Sequence, residues 1–122
     1  MKNFKIGKEI NRILSGNVLG GVGNKVYPLV ATNAGVTFPF IVYRRIGYKP
    51  QSNKDYTGEI VTIEINVASE SYESAVTIAD SVADILNNAK TSLIEKCKLT
   101  NVSEMYLSNT FIQNLVFEIE LT

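Results

Sequence analysis

A chain of 122 residues with 45% apolar content is long enough to bury roughly two-thirds of its unfolded surface in one core. Its 12 Lys plus Arg balance 12 Asp plus Glu, so it lacks the strongly basic footprint of a nucleic-acid-binding domain, and weak self-repulsion is compatible with self-assembly. Histidine is absent and Cys97 is the single cysteine, which excludes a Ser-His-Asp triad, a Cys-His pair and an internal disulfide, and leaves a structural zinc site almost without ligands.

The first segment, MKNFKIGKEINRIL, is punctuated by charge and lacks the apolar run of a signal peptide. No stretch approaches the roughly 20 apolar residues that span a bilayer, so a soluble, unsecreted protein with no membrane partner is expected. Ile6, Ile10, Ile13 and Leu14 share one helical face, which predicts a helix over about Phe4 to Leu14, with Gly16 as a left-handed cap. The segment NVLGGVGNK follows. Its Gly20, Gly21, Gly23 and Lys25 do not have the spacing of a phosphate-binding loop and lack the strand-to-helix context, so a hinge is expected instead.

KVYPLV reads as a short strand and PFIVYRRIGY, Pro39 to Tyr48, as a second. The polar Lys49–Glu59 segment reads as an exposed connection. From Ile60 to Ala68, Val61, Ile63, Ile65 and Val67 alternate with Thr62, Glu64 and Asn66, the pattern of a half-buried antiparallel strand. The period then changes. Ser69 or Ser71 can cap a helix whose face runs Tyr72, Ala75, Val76, Ala79, Val82, Ala83 and Leu86, widened by Ile78 and Ile85, with Ala75, Ala79 and Ala83 as a small-residue row suited to close packing on a sheet. Glu73, Thr77, Asp80, Ser81 and Asp84 are assigned to the wet face.

Asn87 and Asn88 end that helix. A strand somewhere between Ile94 and Ser103, a turn near Leu107–Asn109 and a final strand with Phe111, Gln113, Leu115, Phe117, Ile119 and Leu121 on one face complete the chain. The expectation is a single domain over residues 1–122, α+β in class, with a mostly antiparallel sheet of about five strands covered on one face by two helices, in the order α-β-β-β-α-β-β.

The polar clusters are weighed in turn. In the cluster Tyr43, Arg44 and Arg45 the arginines suit carboxylate or phosphate recognition, and one of them is expected to pair with Glu64 across the hairpin or to meet another subunit. Tyr43, Tyr48, Tyr56 and Tyr72, with Phe38 and Phe40, could stack bases, but core and interface roles suit a balanced chain better. Glu64, Glu118 and Glu120 read as a solvated face rather than an acid–base pair. Cys97 lies between Lys96 and Lys98, which could lower its pKa, yet without histidine it reads as structural. Gln113 interrupts an apolar face, either to answer a buried backbone group or where that face leaves the core.

KVYPLV, FPFIVYRRIGYKP, IVTIEINVASESYESAVTIADSVADIL and FIQNLVFEIEL, in that order, resemble the strands and the strand-into-helix unit of small bacteriophage tail completion or tail-to-head joining proteins. The resemblance spans about Lys25 to Leu121 and is weakest over TSLIEKCKLTNVSEMYLSN. It implies a homo-oligomeric ring, typically six-fold, at the head-proximal end of a tail tube. Such a ring contacts tail-tube and head-connector proteins and passes DNA through its lumen without gripping it. It carries no catalysis and no cofactor, belongs to the virion, and assembles in the bacterial host cytoplasm. Closing a ring needs one edge of the subunit to fit the opposite edge of its neighbour. Tyr43, Arg44, Arg45, Tyr48, Tyr56 and Glu64 are the candidates for such an edge, and the glycine segment with Gly20, Gly21, Gly23 and Lys25 is a candidate for ordering on assembly. A small ligand-binding or regulatory α+β module is the second reading. It requires a concave apolar pocket with convergent polar groups.

Overall fold

The computed structural model describes residues 1–31, 35–52 and 57–122. A short 3-10 turn over Lys2–Lys5 leads into α1 (Ile6–Leu14). Three strands follow: β1 (Val26–Pro28), β2 (Phe40–Ser52) and β3 (Thr57–Ser69). Then come α2 (Tyr72–Leu86), β4 (Ile94–Leu107) and β5 (Thr110–Leu121). The strands form one five-stranded sheet in the order β1-β2-β3-β5-β4. All neighbours are antiparallel except β1, which runs parallel to β2.

The strand β3 is central, and its alternation divides the sheet into two faces. Val61, Ile63, Ile65 and Val67 have no exposed surface, and they are joined by Leu115, Phe117 and Ile119 of β5. Ile6, Ile10 and Leu14 of α1 and Ile78, Val82 and Leu86 of α2 close over this one face. The opposite face carries Arg44, Glu64, Asn66, Asn114 and Val116, and among the described residues no helix covers it. Two helices on one face of a mostly antiparallel α+β sheet is therefore the observed architecture.

Local chemistry explains the boundaries. Ser71 Oγ accepts from Ser74 N–H at 3.2 Å and so caps α2 as expected. After α1, Gly16 takes φ +77°, the left-handed conformation that stops a helix. Ser108 and Asn109 both have positive φ, 52° and 59°, giving the two-residue turn that best matches strand twist between β4 and β5.

Three expectations need correction. Lys49–Glu59 is not simply a connection. Lys49, Pro50 and Gln51 pair with Ile60, Glu59 and Gly58, so the hairpin arms are longer, and of this segment residues 53–56 lie outside the described set. Backbone pairing extends a strand without demanding an apolar face, which is why side-chain pattern underestimates it. The penultimate strand likewise runs past Ser103 to Leu107, with irregularities between Ile94 and Lys96 and between Leu99 and Asn101 that destroy its alternation. On α2 the buried stripe is rotated toward Ile78, leaving Tyr72 and Val76 exposed, while Ser81 is buried and accepts from Leu19 N–H at 3.0 Å. Cys97 agrees with its structural reading: it is fully buried, and burial pushes its thiol up to about 12, so the flanking lysines do not activate it.

The small-residue row leads to a test. Ala79 is buried where α2 meets the core. Replacing it with Leu inserts volume that only displacement of the helix can accommodate. Ala79→Leu should lower stability by about 1–3 kcal/mol in a urea titration. An unchanged midpoint would remove this account of the helix–sheet contact.

Candidate functional site

Two edges of the sheet differ in kind. At one edge β1 covers only Ile41, Val42 and Tyr43 of β2. Beyond Tyr43 the strand β2 continues with Arg44, Arg45, Gly47, Tyr48 and Lys49, and Ile46 is left unpaired at a bulge. Arg44 lies on the helix-free face and its Nε donates to Glu64 Oε1 at 2.7 Å. Asn66 Nδ2 donates to the same carboxylate oxygen at 3.2 Å, and Asn114 Nδ2 donates to Asn66 Oδ1 at 2.9 Å. The Arg44 guanidinium chiefly, aided by these amides and opposed by burial, holds the Glu64 carboxyl below its usual range.

Arg45 takes the other course. Its guanidinium lies 4.8 Å from the centre of the Phe4 ring, and Nη1 donates to Asn3 O at 2.8 Å and Asn3 Oδ1 at 3.0 Å. Asn3 Nδ2 in turn donates to Glu59 Oε1 at 2.8 Å. Arg45 thus fastens the N-terminal turn to the sheet. Tyr43 is buried in the core and Tyr48 is exposed near the strand's far end. Tyr56 lies outside the described residues. The aromatic residues weighed as a stacking surface are therefore scattered. Phe38 and Phe40 stack at 5.6 Å, whereas Tyr72 meets Phe111 edge-on at 6.0 Å.

At the opposite edge, β4 and the start of β5 form a hairpin that outruns the helices. Val102, Met105, Tyr106 and Leu107 are all more than half exposed, between 53% and 61%. Val102 and Tyr106 lie on the helix side of the sheet and Met105 and Leu107 on the other, so this edge strand exposes apolar side chains on both faces. Inside this hairpin Gln113 is almost fully buried and its Nε2 donates to Glu104 Oε2 at 2.7 Å. Tyr72 OH donates to the same oxygen at 2.9 Å. Gln113 is thus answered through its amide by a carboxylate on the neighbouring strand rather than by a backbone group. Its amide, then the Tyr72 hydroxyl, holds the Glu104 carboxyl below its usual range. Sequence reading passed over Glu104, because its partners stand 32 residues back and 9 residues on, and only register joins them.

The glycine segment is folded onto the single chain. Val18 and Val22 are buried in the core, and Gly16 N–H donates to Gly23 O at 2.9 Å. Gly20 has φ +99°, and a Cβ there would stand 2.6 Å from Ile78 Cγ1. Gly21 and Gly23 also have positive φ but face open space. Lys25 Nζ donates to Thr37 O at 3.1 Å.

Among the described residues no group of three His, Cys, Asp or Glu could hold a metal. No described helix is long and apolar enough to cross a membrane. One open groove of about 810 Å³ is lined by Lys2, Lys5, Lys8, Glu9 and Arg12 beside Phe4 and Leu93. Glu118 is exposed and Lys96 stands 3.9 Å from Glu120, so these carboxylates belong to a wet face.

A sequence profile of the family described as Tail completion protein gp17 matches residues 15–113. Among solved structures, a chain from "Virion of native gene transfer agent (GTA) particle" superposes with a TM-score of 0.70 at 17% identity, covering 81% of this chain and 79% of that one. At that identity the likeness is one of fold. A search of curated proteins finds no match.

Two expectations follow from the geometry. Gly20→Ala combines a disfavoured φ with a clash against Ile78 and should lower the unfolding midpoint clearly more than Gly21→Ala, which carries the backbone penalty of about 1 kcal/mol alone. Equal losses in thermal melts would mean the loop does not press on α2. For Glu64 the folded pKa is depressed, so its contribution is present above the unfolded value of about 4.3 and is lost as pH falls through the folded value. Glu64→Gln should therefore show a shallower fall in urea stability between about pH 5 and pH 3 than the parent chain. Parallel curves would show that the Arg44 pair adds nothing.

Proposed function

This chain belongs to the tail completion protein gp17 family and is a phage tail structural protein; from that membership we propose that it is the subunit of a ring that ends the head-proximal face of a tail tube. The observation that carries the reading is the family match over residues 15–113, most of the folded core. The two unlike sheet edges support it. A heterologous contact that closes by rotation needs complementary, non-identical edges, and a β4 edge with exposed Met105, Tyr106 and Leu107 opposite a basic β2 edge meets that need. Arg44, Arg45 and Tyr48 remain our assignment for the β2 side, with Glu64 of β3 paired to Arg44 and Arg45 acting through the N-terminal turn that it anchors; Tyr43, buried in the core, is withdrawn from it, and Tyr56 lies outside the described residues.

The ring is proposed as six-fold, built in the host cytoplasm, and bound by tail-tube protein on one side and head-connector protein on the other. DNA would pass through its lumen. A sheet face on which Arg44 meets Glu64, and Lys96 lies near Glu120, offers few unneutralised cations to hold phosphates, which suits a sliding passage. We assign it no catalysis. Glu64 is held ionised by its neighbours, the opposite of the raised carboxyl that acid catalysis requires.

The test is electron microscopy of particles produced with this gene disrupted. Filled heads separate from loose or over-long tails are the expected outcome. Normally joined particles would remove the tail-joining role.

A further inference from the structure

The hairpin beyond the helices holds a notch whose chemistry is more specific than an apolar patch. It has a volume of about 210 Å³ and is lined by Tyr72, Glu104, Met105, Tyr106, Phe111 and Gln113. Tyr106 and Phe111 lie 4.7 Å apart at 51°, and Tyr72 meets Phe111 edge-on, so rings wall it on two sides. Both hydrogen bonds to Glu104 land on Oε2, from Tyr72 and from Gln113. They fix the carboxylate against the rings while Oε1 is the oxygen not used by either. We infer that this notch receives a cationic side chain, and that the cation comes from strand β2 of a second copy of this chain.

Size, charge and position each lead there. The volume is below the roughly 300–1,000 Å³ of small-molecule sites, and a single side chain suits it better. Aromatic faces and a carboxylate both attract a cation, and together they select one over an apolar anchor. From Leu99 to Ile112 the only charged residue is Glu104. From Phe40 to Ser52 the charged residues are Arg44, Arg45 and Lys49, with no acid among them. The acidic hairpin and the basic strand sit at opposite edges of the sheet, in the order β1-β2-β3-β5-β4. Copies related by rotation would bring the β4 edge of one to the β2 edge of the next. Complementary charge at such a contact fixes register and excludes the inverted pairing, since two copies of the same edge would repel. This inference rests on the ring reading.

The experiment places p-benzoylphenylalanine at Val102, two residues before Glu104 on the same side of β4, in the full chain within cells assembling the particle. After irradiation, interchain products are mapped by mass spectrometry. A product joining position 102 to residues 40–52 of a second copy is expected. Adding Glu104→Gln keeps an acceptor for Tyr72 and Gln113 but removes the charge. It should cut that product about tenfold without changing the melting temperature. A product at any other segment, a product with a different protein, no interchain product, or a yield indifferent to Glu104→Gln would each overturn the assignment. Oligomers cross-linked through another segment would leave the ring standing and dismiss only the notch. Normal particles from the disrupted gene would dismiss the ring itself.

Discussion

Everything in this molecule depends on keeping water from one side of β3. Val61, Ile63, Ile65 and Val67 have no accessible surface, and each is worth about 1.5–3 kcal/mol when fully buried. A strand can bury one face only if something lies across it, and α1 and α2 are that cover. The strand's position sets the rest. A hairpin places β2 on one side, and the chain returning through α2 and β4 places β5 on the other, both in antiparallel registers of ten or more pairs. The remaining strands, β1 and β4, become edges because no residue remains to pair beyond them.

The elements tied most directly to that constraint were legible in sequence. In β3 and β5 the side-chain period of two is imposed by the helices above, so alternation survives in the amino acids. In α2 the helical period and the Ser71 cap place both ends. The rest was hidden for a physical reason in each case. Residues Asn101 to Leu107 of β4 are exposed on both faces, so burial imposes no alternation on them, and only backbone pairing to β5 makes them a strand. The parallel run of β1 beside β2 involves three residues, too few for any periodic signal. The outward shift of Tyr72 and Val76 on α2 reflects where the β4–β5 hairpin lies, which no local pattern records. Of the polar clusters, the Arg44–Glu64 pair was visible because its two strands are consecutive. The Tyr72–Glu104–Gln113 cluster joins α2, β4 and β5 and needs the finished register.

Polar residues in buried or half-buried places here serve geometry. Asn3 is nearly fully buried, yet its amide and its carbonyl are both engaged, by Glu59 and Arg45. Ser81 faces the core and holds the glycine segment through Leu19. Among the described residues no buried side-chain nitrogen or oxygen lacks a partner. Each of these groups would cost about 1–3 kcal/mol if left unsatisfied, so each pins an irregular segment to the regular framework. The turn before α1, the loop before β1 and the hairpin after α2 are the three segments so held.

That arrangement separates folding from association. Burial is completed by α1, α2 and the inner faces of β3 and β5, within one chain. The surfaces left over are not uniform. One edge is basic, with Arg44 in an ion pair and Arg45 over an aromatic ring; the other exposes Met105, Tyr106 and Leu107 and holds one oriented carboxylate, Glu104. Natural edge strands that must stay apart are blunted by charge, proline or cover. Here β2 is blunted by Arg44, Arg45 and Pro50, whereas the far half of β4 has neither proline nor basic residue. An unprotected edge on a chain whose other edge is protected cannot be explained by the stability of the monomer, to which it adds little. It is explained if the protected edge is also the one the unprotected edge must find, because like edges then repel and unlike edges attract.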